Sequence, residues 1–248
     1  MDMQFQVIGY WGGYPGPGSA TAGYLLEHNG EQLLLECGSG VLSRLPYFIQ
    51  PERLQAVILS HYHYDHIADL GVLQYALLVQ QQLGNRKGGL PIYAPNHDEE
   101  AFQRLQRPDI THAYPLLPDR KEQIGLFQVE VLPTRHPEYC LAMRIATSAG
   151  TIVYTADTAF FPELVDFAAE ADLLVAECSF YGGMDAEAYG GHMNSYDVGR
   201  LAAEARVGSL LLTHLPHFGQ HEQLREEAAE RFSGPIAIAR EGWRWEVK

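Results

Sequence analysis

Ala56-Val57-Ile58-Leu59-Ser60-His61-Tyr62-His63-Tyr64-Asp65-His66 is an apolar run that opens directly into three histidines and an aspartate within six residues. The four leading apolar side chains read as a buried strand, and from Ile67 to Gln82 the apolar spacing becomes helical, so the cluster occupies a strand-to-helix loop. A strand end fixes direction, and the loop after it lets several side chains turn toward one point. Imidazole with carboxylate is the donor set that suits zinc or another borderline divalent cation. The competing reading is a surface histidine cluster or a fortuitous tag-like run.

Toward the N-terminus, Val7-Ile8 and Tyr24-Leu25-Leu26 read as strand cores on either side of the Gly- and Pro-rich loop Trp11–Gly18. His28-Asn29-Gly30 reads as a hairpin turn into Leu33-Leu34-Leu35, because Asn-Gly suits the positive φ of a type I′ turn. Toward the C-terminus, Asn96–Arg107 is expected to be a helix with Asn96 as its N-cap. Strands are expected over Phe127–Leu132, Leu141–Ala146 and Thr151–Thr155, the last two joined by Ser148-Ala149-Gly150. Leu173–Ala176 and Leu210–Leu212 read as further strands, and Tyr196–Ala205 and Gln223–Arg231 as helices. Leu210-Leu211-Leu212-Thr213-His214 echoes Val57-Ile58-Leu59-Ser60-His61: each is an apolar strand ending in a hydroxyl residue and a histidine. Strands at both ends with helices interspersed suggest two sheets covered by helices.

At 248 residues and 46% hydrophobic content the chain can bury a sizeable core, and one domain over residues 1–248 is expected. No window approaches the ~18 apolar residues of a membrane span, and Met1–Tyr10 has no basic start followed by an apolar stretch, so a cytoplasmic protein with no membrane partner is expected. Three cysteines, Cys37, Cys140 and Cys178, none in a CxxC pair, fit reduced thiols. Cys37 and Cys178 read as small buried apolar residues. The net charge is −14 with only three lysines, which disfavours extended nucleic acid.

The pattern H-x-H-x-D-H after an apolar strand resembles the signature of the metallo-β-lactamase superfamily, and later residues follow in that family's order. His136 in Thr134-Arg135-His136-Pro137 is similar to the third-motif histidine, Asp157 in Thr155-Ala156-Asp157-Thr158 to the bridging aspartate, and His214 to the final ligand. The resemblance implies an α/β fold, a four-layer αββα sandwich of two mixed β-sheets flanked by helices. It implies two divalent metal ions, zinc first with manganese and iron as alternatives. His61, His63 and His136 would hold one, Asp65, His66 and His214 the other, and Asp157 would bridge them. One departure stands at Leu35-Glu36-Cys37-Gly38, where the family usually places an aspartate at the position of Glu36. A longer carboxylate there could move the hydrogen bonds that orient the ligands.

Ala176-Glu177-Cys178-Ser179 and Gly191-His192-Met193-Asn194-Ser195 resemble the glutamate and histidine motifs of the tRNase Z and phosphodiesterase branch. That implies a metal-bridging hydroxide attacking a phosphodiester. Asp65 would take or hold the proton, and His192, oriented by Glu177, would serve the departing oxygen. Helix-start hydrogen bonding for His192 and a structural carboxylate for Glu177 compete with these roles. Only positions 137–156 separate His136 from Asp157, and two strands with a tight turn fill them, so the long tRNA-gripping arm common in that branch has no room. The reading is therefore a small phosphodiester as substrate, with a homodimer left open. The alternatives are a tRNA 3′-processing endoribonuclease, a lactonase or thioester hydrolase, and a noncatalytic metal- or partner-binding protein. The aromatic loop Tyr10–Tyr14 stands evenly between roofing the pocket, where it would stack on a nucleobase or other ring, and simple surface packing. For His217 and Phe218 ordinary loop packing is favoured over lining the mouth.

Overall fold

The computed structural model describes residues 3–184 and 190–247. Met3–Gly9 (β1), Gly23–His28 (β2) and Glu31–Leu35 (β3) form the expected antiparallel meander. The two residues between β2 and β3, Asn29 and Gly30, have φ of 50° and 84°, which is the type I′ geometry that Asn-Gly predicts. Next come Val41–Arg44 (α1), Ala56–Ile58 (β4), Tyr64–Ile67 (α2), Leu70–Gln82 (α3), Leu90–Ala94 (β5), Glu99–Arg104 (α4) and Thr111–Pro115 (β6). The second half contains Glu122–Ile124 (β7), Phe127–Pro133 (β8), Leu141–Ala146 (β9), Thr151–Tyr154 (β10), Pro162–Ala168 (α5), Leu173–Glu177 (β11), Ser195–Glu204 (α6), Leu210–Thr213 (β12), His221–Ala229 (α7), Ile236–Ile238 (β13) and Arg244–Glu246 (β14).

Among the described residues these strands make two seven-stranded sheets, ordered β14-β1-β2-β3-β4-β5-β6 and β13-β12-β11-β10-β9-β8-β7. In each sheet antiparallel pairs give way to parallel ones, at β3 in the first and at β10 in the second. Side chains alternate across the strands, as the pleat dictates. Leu33 and Leu35 of β3 and Ile152 and Tyr154 of β10 enter the core between the sheets, with Phe5, Ile58, Phe127 and Met143. Leu34 and Val57 face the other way, onto Leu70, Leu73 and Leu77 of α3. Val153, Leu174 and Leu212 turn outward onto Leu164 of α5, Val198 and Leu201 of α6 and Leu224 of α7. Both faces of the central strands are covered, which is why they read as unbroken apolar runs. The result is the four-layer sandwich of two mixed sheets flanked by helices.

Three expectations change. The helix expected over 67–82 breaks between α2 and α3, where the Asp69 carboxylate accepts from the Leu42 amide at 2.9 Å. The cap of α4 is Asp98, whose side chain accepts from Ala101 N at 2.9 Å, and not Asn96. In the shared pairing pattern β4 corresponds to β11, so the echo between the ends of β4 and β12 is not a repeat of topological position. No helix among the described residues is long and apolar enough to cross a membrane.

Candidate metal centre

The chain delivers its polar side chains at one edge of the sandwich, beyond the carboxyl ends of β3, β4, β8, β10, β11 and β12. That is where open α/β sheets present ligands. Glu36 follows β3, His61 lies past β4, His136 past β8 and Asp157 past β10; Glu177 closes β11 and His214 follows β12. Three of these turns use a left-handed residue that is not glycine: Glu36, Ala156 and His214 have φ of 62°, 51° and 52°. Such backbone costs energy and persists where the surroundings hold it.

Two donor groups form around a shared carboxylate. One ligand atom each from His61, His63, His136 and Asp157 lie within 4.8 Å of one another, and so do atoms from Asp65, His66, Asp157 and His214. His66 Nε2 stands 3.4 Å from Asp157 Oδ1, and His214 Nε2 stands 3.4 Å from Asp157 Oδ2 and 3.1 Å from Asp65 Oδ2. All seven residues expected as ligands therefore converge. His61 Nε2, His66 Nε2 and Asp157 Oδ1 are buried without a hydrogen-bond partner. Buried polar atoms are rarely left unpaired, so these orphans, aimed at one another, fit divalent cations between them.

The nitrogens pointing away are held. His61 Nδ1 pairs with Ser60 Oγ at 2.8 Å, His136 Nδ1 with the Glu138 carbonyl at 3.1 Å and His214 Nδ1 with Ser179 Oγ at 2.9 Å. Such partners fix ring orientation and tautomer. Glu36 fills the orienting role from its longer side chain. It accepts the Ser60 amide at 3.0 Å, and its other oxygen lies 3.7 Å from His66 Nδ1. The hydrogen-bonding residues Ser60, Ser179 and Glu138 were not singled out from sequence, where isolated serines and carbonyls carry no distinguishing signal. Cys37, Cys140 and Cys178 are all buried thiols, and Cys140 Sγ lies 3.5 Å from His61 Nδ1.

Burial alone would raise the Asp65 and Asp157 carboxyls, but the imidazoles of His214 and His66 outweigh it and hold both below the usual carboxylate range. Burial pushes Glu36 up, and the facing His66 ring and the Ser60 hydrogen bonds offset only part of that. Burial and the neighbouring His66 keep the His61 ring neutral, the form that binds metal.

His192 lies over both groups, its ring centroid 5.5 Å from that of His136 and 5.4 Å from that of His214. Its Nδ1 is 2.8 Å from Glu177 Oε1. Glu177 is fully buried and fixed by the Thr158 amide at 3.0 Å and Ser179 Oγ at 2.8 Å. Burial tends to strip the His192 proton, but the Glu177 carboxylate prevails and the pKa is pushed up to about 9. The helix start is capped by Asn194, whose side chain accepts from Asp197 N, so His192 is not spent on that task. Beside it opens a cleft of about 440 Å³ lined by Gly12, Tyr14, Phe180, His214, His217 and Phe218 among others. His217 and Phe218 thus line the mouth, contrary to the loop packing favoured from sequence; both rings stand at an exposed loop tip beside His214.

A family model described as a beta-lactamase superfamily domain matches residues 31–215. The probable metallo-hydrolase YhfI of Bacillus subtilis (strain 168) is 47% identical over 244 residues, covering 98% of this chain and 100% of that protein. The crystal structure of that metallo-beta-lactamase fold protein matches with a TM-score of 0.98 over 99% of this chain and 100% of its own. A diphosphatase from the PhnP family matches at TM-score 0.79 and 15% identity, covering 99% of this chain and 98% of its own. The short form of human tRNase Z matches at 0.77 and 19% identity, over 100% of both chains. At those two identities the likeness extends to the fold alone.

Proposed function

This chain belongs to the β-lactamase superfamily and is a metallo-hydrolase by class; from that premise we propose that it is a dinuclear metal-dependent phosphodiesterase acting on a small phosphodiester. The observation that carries the reading is the Glu177–His192 pair poised over both donor groups. His61, His63 and His136 would hold one cation, Asp65, His66 and His214 the second, and Asp157 both. Zinc suits this donor set. When bound, the pair supplies a nucleophile at neutral pH and offsets the charge that builds on phosphorus-bound oxygens.

The chain's own residues supply the rest. Asp65, whose Oδ2 accepts the Gly13 amide at 2.8 Å, would take or hold the proton of the attacking water. His192 carries a proton and gives it to the departing oxygen. Glu177, accepting from His192 Nδ1, keeps the ring oriented and its charge stabilised. A phosphodiester needs this proton because its leaving alkoxide is strongly basic, whereas a thioester expels a stable thiolate. The −14 net charge supports a small substrate over a polyanion, and the names of two fold neighbours, a diphosphatase and a tRNase Z, point toward phosphorus-oxygen bonds.

Metal-loaded protein assayed on bis-p-nitrophenyl phosphate, a lactone and a thioester should cleave the phosphodiester. On a phosphodiester with an alkoxide leaving group, such as a ribose 2′,3′-cyclic phosphate, His192→Ala should keep its metal and lose ~10²–10⁴-fold in kcat, with a much smaller loss on bis-p-nitrophenyl phosphate, whose weakly basic phenolate leaves without a proton. Robust lactone turnover with no phosphodiester cleavage would overturn the proposal.

A further inference from the structure

Resting on the phosphodiesterase reading, we propose that the cleft beside His192 is a subsite for a planar uncharged ring, a nucleobase carried by the departing half of the substrate, with Tyr14 as its stacking platform. The His217 ring lies parallel to Tyr14 at 3.7 Å between centroids and 8° between planes, and parallel to Trp11 at 4.4 Å and 7°. Two rings that close and that parallel to a third occupy its opposite faces, so Trp11, His217 and Tyr14 form one pile. Tyr14 ends it, 62% exposed, and lines the same cleft as His192 and His214. A bound ring adds the next layer. Phe218, 48% exposed, supplies a second apolar wall, and its carbonyl is pinned by Tyr181 Oη at 2.9 Å.

The pile is built, not draped. Leu215 N donates to the Tyr10 carbonyl at 2.9 Å and Gly12 N to the Leu215 carbonyl at 3.2 Å, tying the Tyr10–Tyr14 loop to the segment that carries His214 and His217. His217 Nε2 is 2.7 Å from the Tyr14 carbonyl, and Trp11 Nε1 donates to Ser19 Oγ at 3.1 Å. Gly12 has no room for a side chain, since a Cβ there would stand 2.8 Å from the His214 ring. The platform is thereby registered to a metal ligand. Among the described residues the cleft is lined by no lysine, arginine, aspartate or glutamate, so apart from His192 at its inner end it offers no charge to a second phosphate and no penalty to a neutral ring. Because the cleft adjoins His192, the group protonated on leaving is the group it holds. Nucleosides are the common biological alcohols that carry a planar uncharged ring in a phosphodiester, and every base offers a π-face to stack.

The test compares adenosine 2′,3′-cyclic phosphate with the base-free ribose 2′,3′-cyclic phosphate on the metal-loaded protein, with adenosine binding followed by calorimetry. The wild type should favour the base-bearing ester about 10- to 100-fold in kcat/KM, the range one base–aromatic stack supplies. Tyr14→Ala should collapse that ratio to within about 3-fold, chiefly through KM, and weaken adenosine binding by a similar factor; Tyr14→Phe should retain both. Equal turnover of the two esters by the wild type, or an unchanged ratio in Tyr14→Ala, overturns the subsite. Tyr14-dependent adenosine binding without cleavage of either ester would sustain the subsite while sinking the phosphodiesterase reading.

Discussion

Glu36 holds its place by two different contacts, and each oxygen has a separate job. One accepts the Ser60 amide and so sets where His61 begins; the other faces His66. Glu36→Gln keeps the size and the amide contact but removes the charge beside His66, so metal affinity should fall about 10- to 100-fold with the fold intact, measured by competition with a chromogenic chelator. An unchanged affinity would mean that Glu36 serves packing alone. The Glu177–His192 pair gives a pH signature. Its folded pKa of about 9 lies above the ordinary histidine value, so its contribution to stability is complete below about pH 6.5 and disappears as pH rises through about 9. In metal-free protein, the wild type should therefore lose more thermal stability than Glu177→Gln across that window; parallel curves would refute the pairing. The seven ligands were legible because His and Asp in fixed spacing after strands are scarce patterns. Ser60, Ser179 and the Glu138 carbonyl were not, since their importance comes only from the rings brought against them.

Strands and loops set the precision of the site. The turn after β3 and the turn after β4 touch backbone to backbone: Cys37 N donates to the His66 carbonyl at 2.8 Å, and Asp69 N to the Cys37 carbonyl at 3.1 Å. A Cβ on Gly38 would stand 1.9 Å from the Asp65 carbonyl and 2.2 Å from Thr21 Oγ1. Gly38→Ala should thus push the Asp65–His66 turn away, costing roughly 1–3 kcal/mol by denaturant unfolding and lowering bound metal. Wild-type stability and metal content in this variant would contradict that packing. The apolar strands β3, β4, β10, β11 and β12 declared themselves because burial on both faces leaves few polar interruptions. Strands β5, β6, β7, β13 and β14 did not. β6, β7, β13 and β14 are the edge strands of the two sheets and keep half-buried or exposed positions, and β5 contains Pro91. Helix α5 opens on Pro162, whose fixed φ suits the first helical position.

Across the whole molecule, the core between the sheets locks together strands from both halves of the chain, and the donors meet only because both sheets end at one edge. The left-handed turns at Glu36, Ala156 and His214 that complete this meeting have no sequence signature, since Glu, Ala and His do not announce positive φ. Between His136 and Asp157 lie β9, β10 and their turn, with no insertion that could reach a large substrate. With a net charge of −14, cleavage of a small phosphodiester should change less than about 3-fold between 50 and 200 mM salt, against the ~10³–10⁵ of proteins that track many phosphates. A steep salt dependence would favour an extended nucleic acid. The most direct test of the central claim is elemental analysis of purified protein after reconstitution with zinc and desalting, run beside Asp157→Ala. The account predicts about two ions per chain in the wild type and fewer than about one in the variant, because the variant loses the carboxylate common to both groups. A wild-type chain that retains no zinc, or an Asp157→Ala chain that retains as much as the wild type, would contradict it.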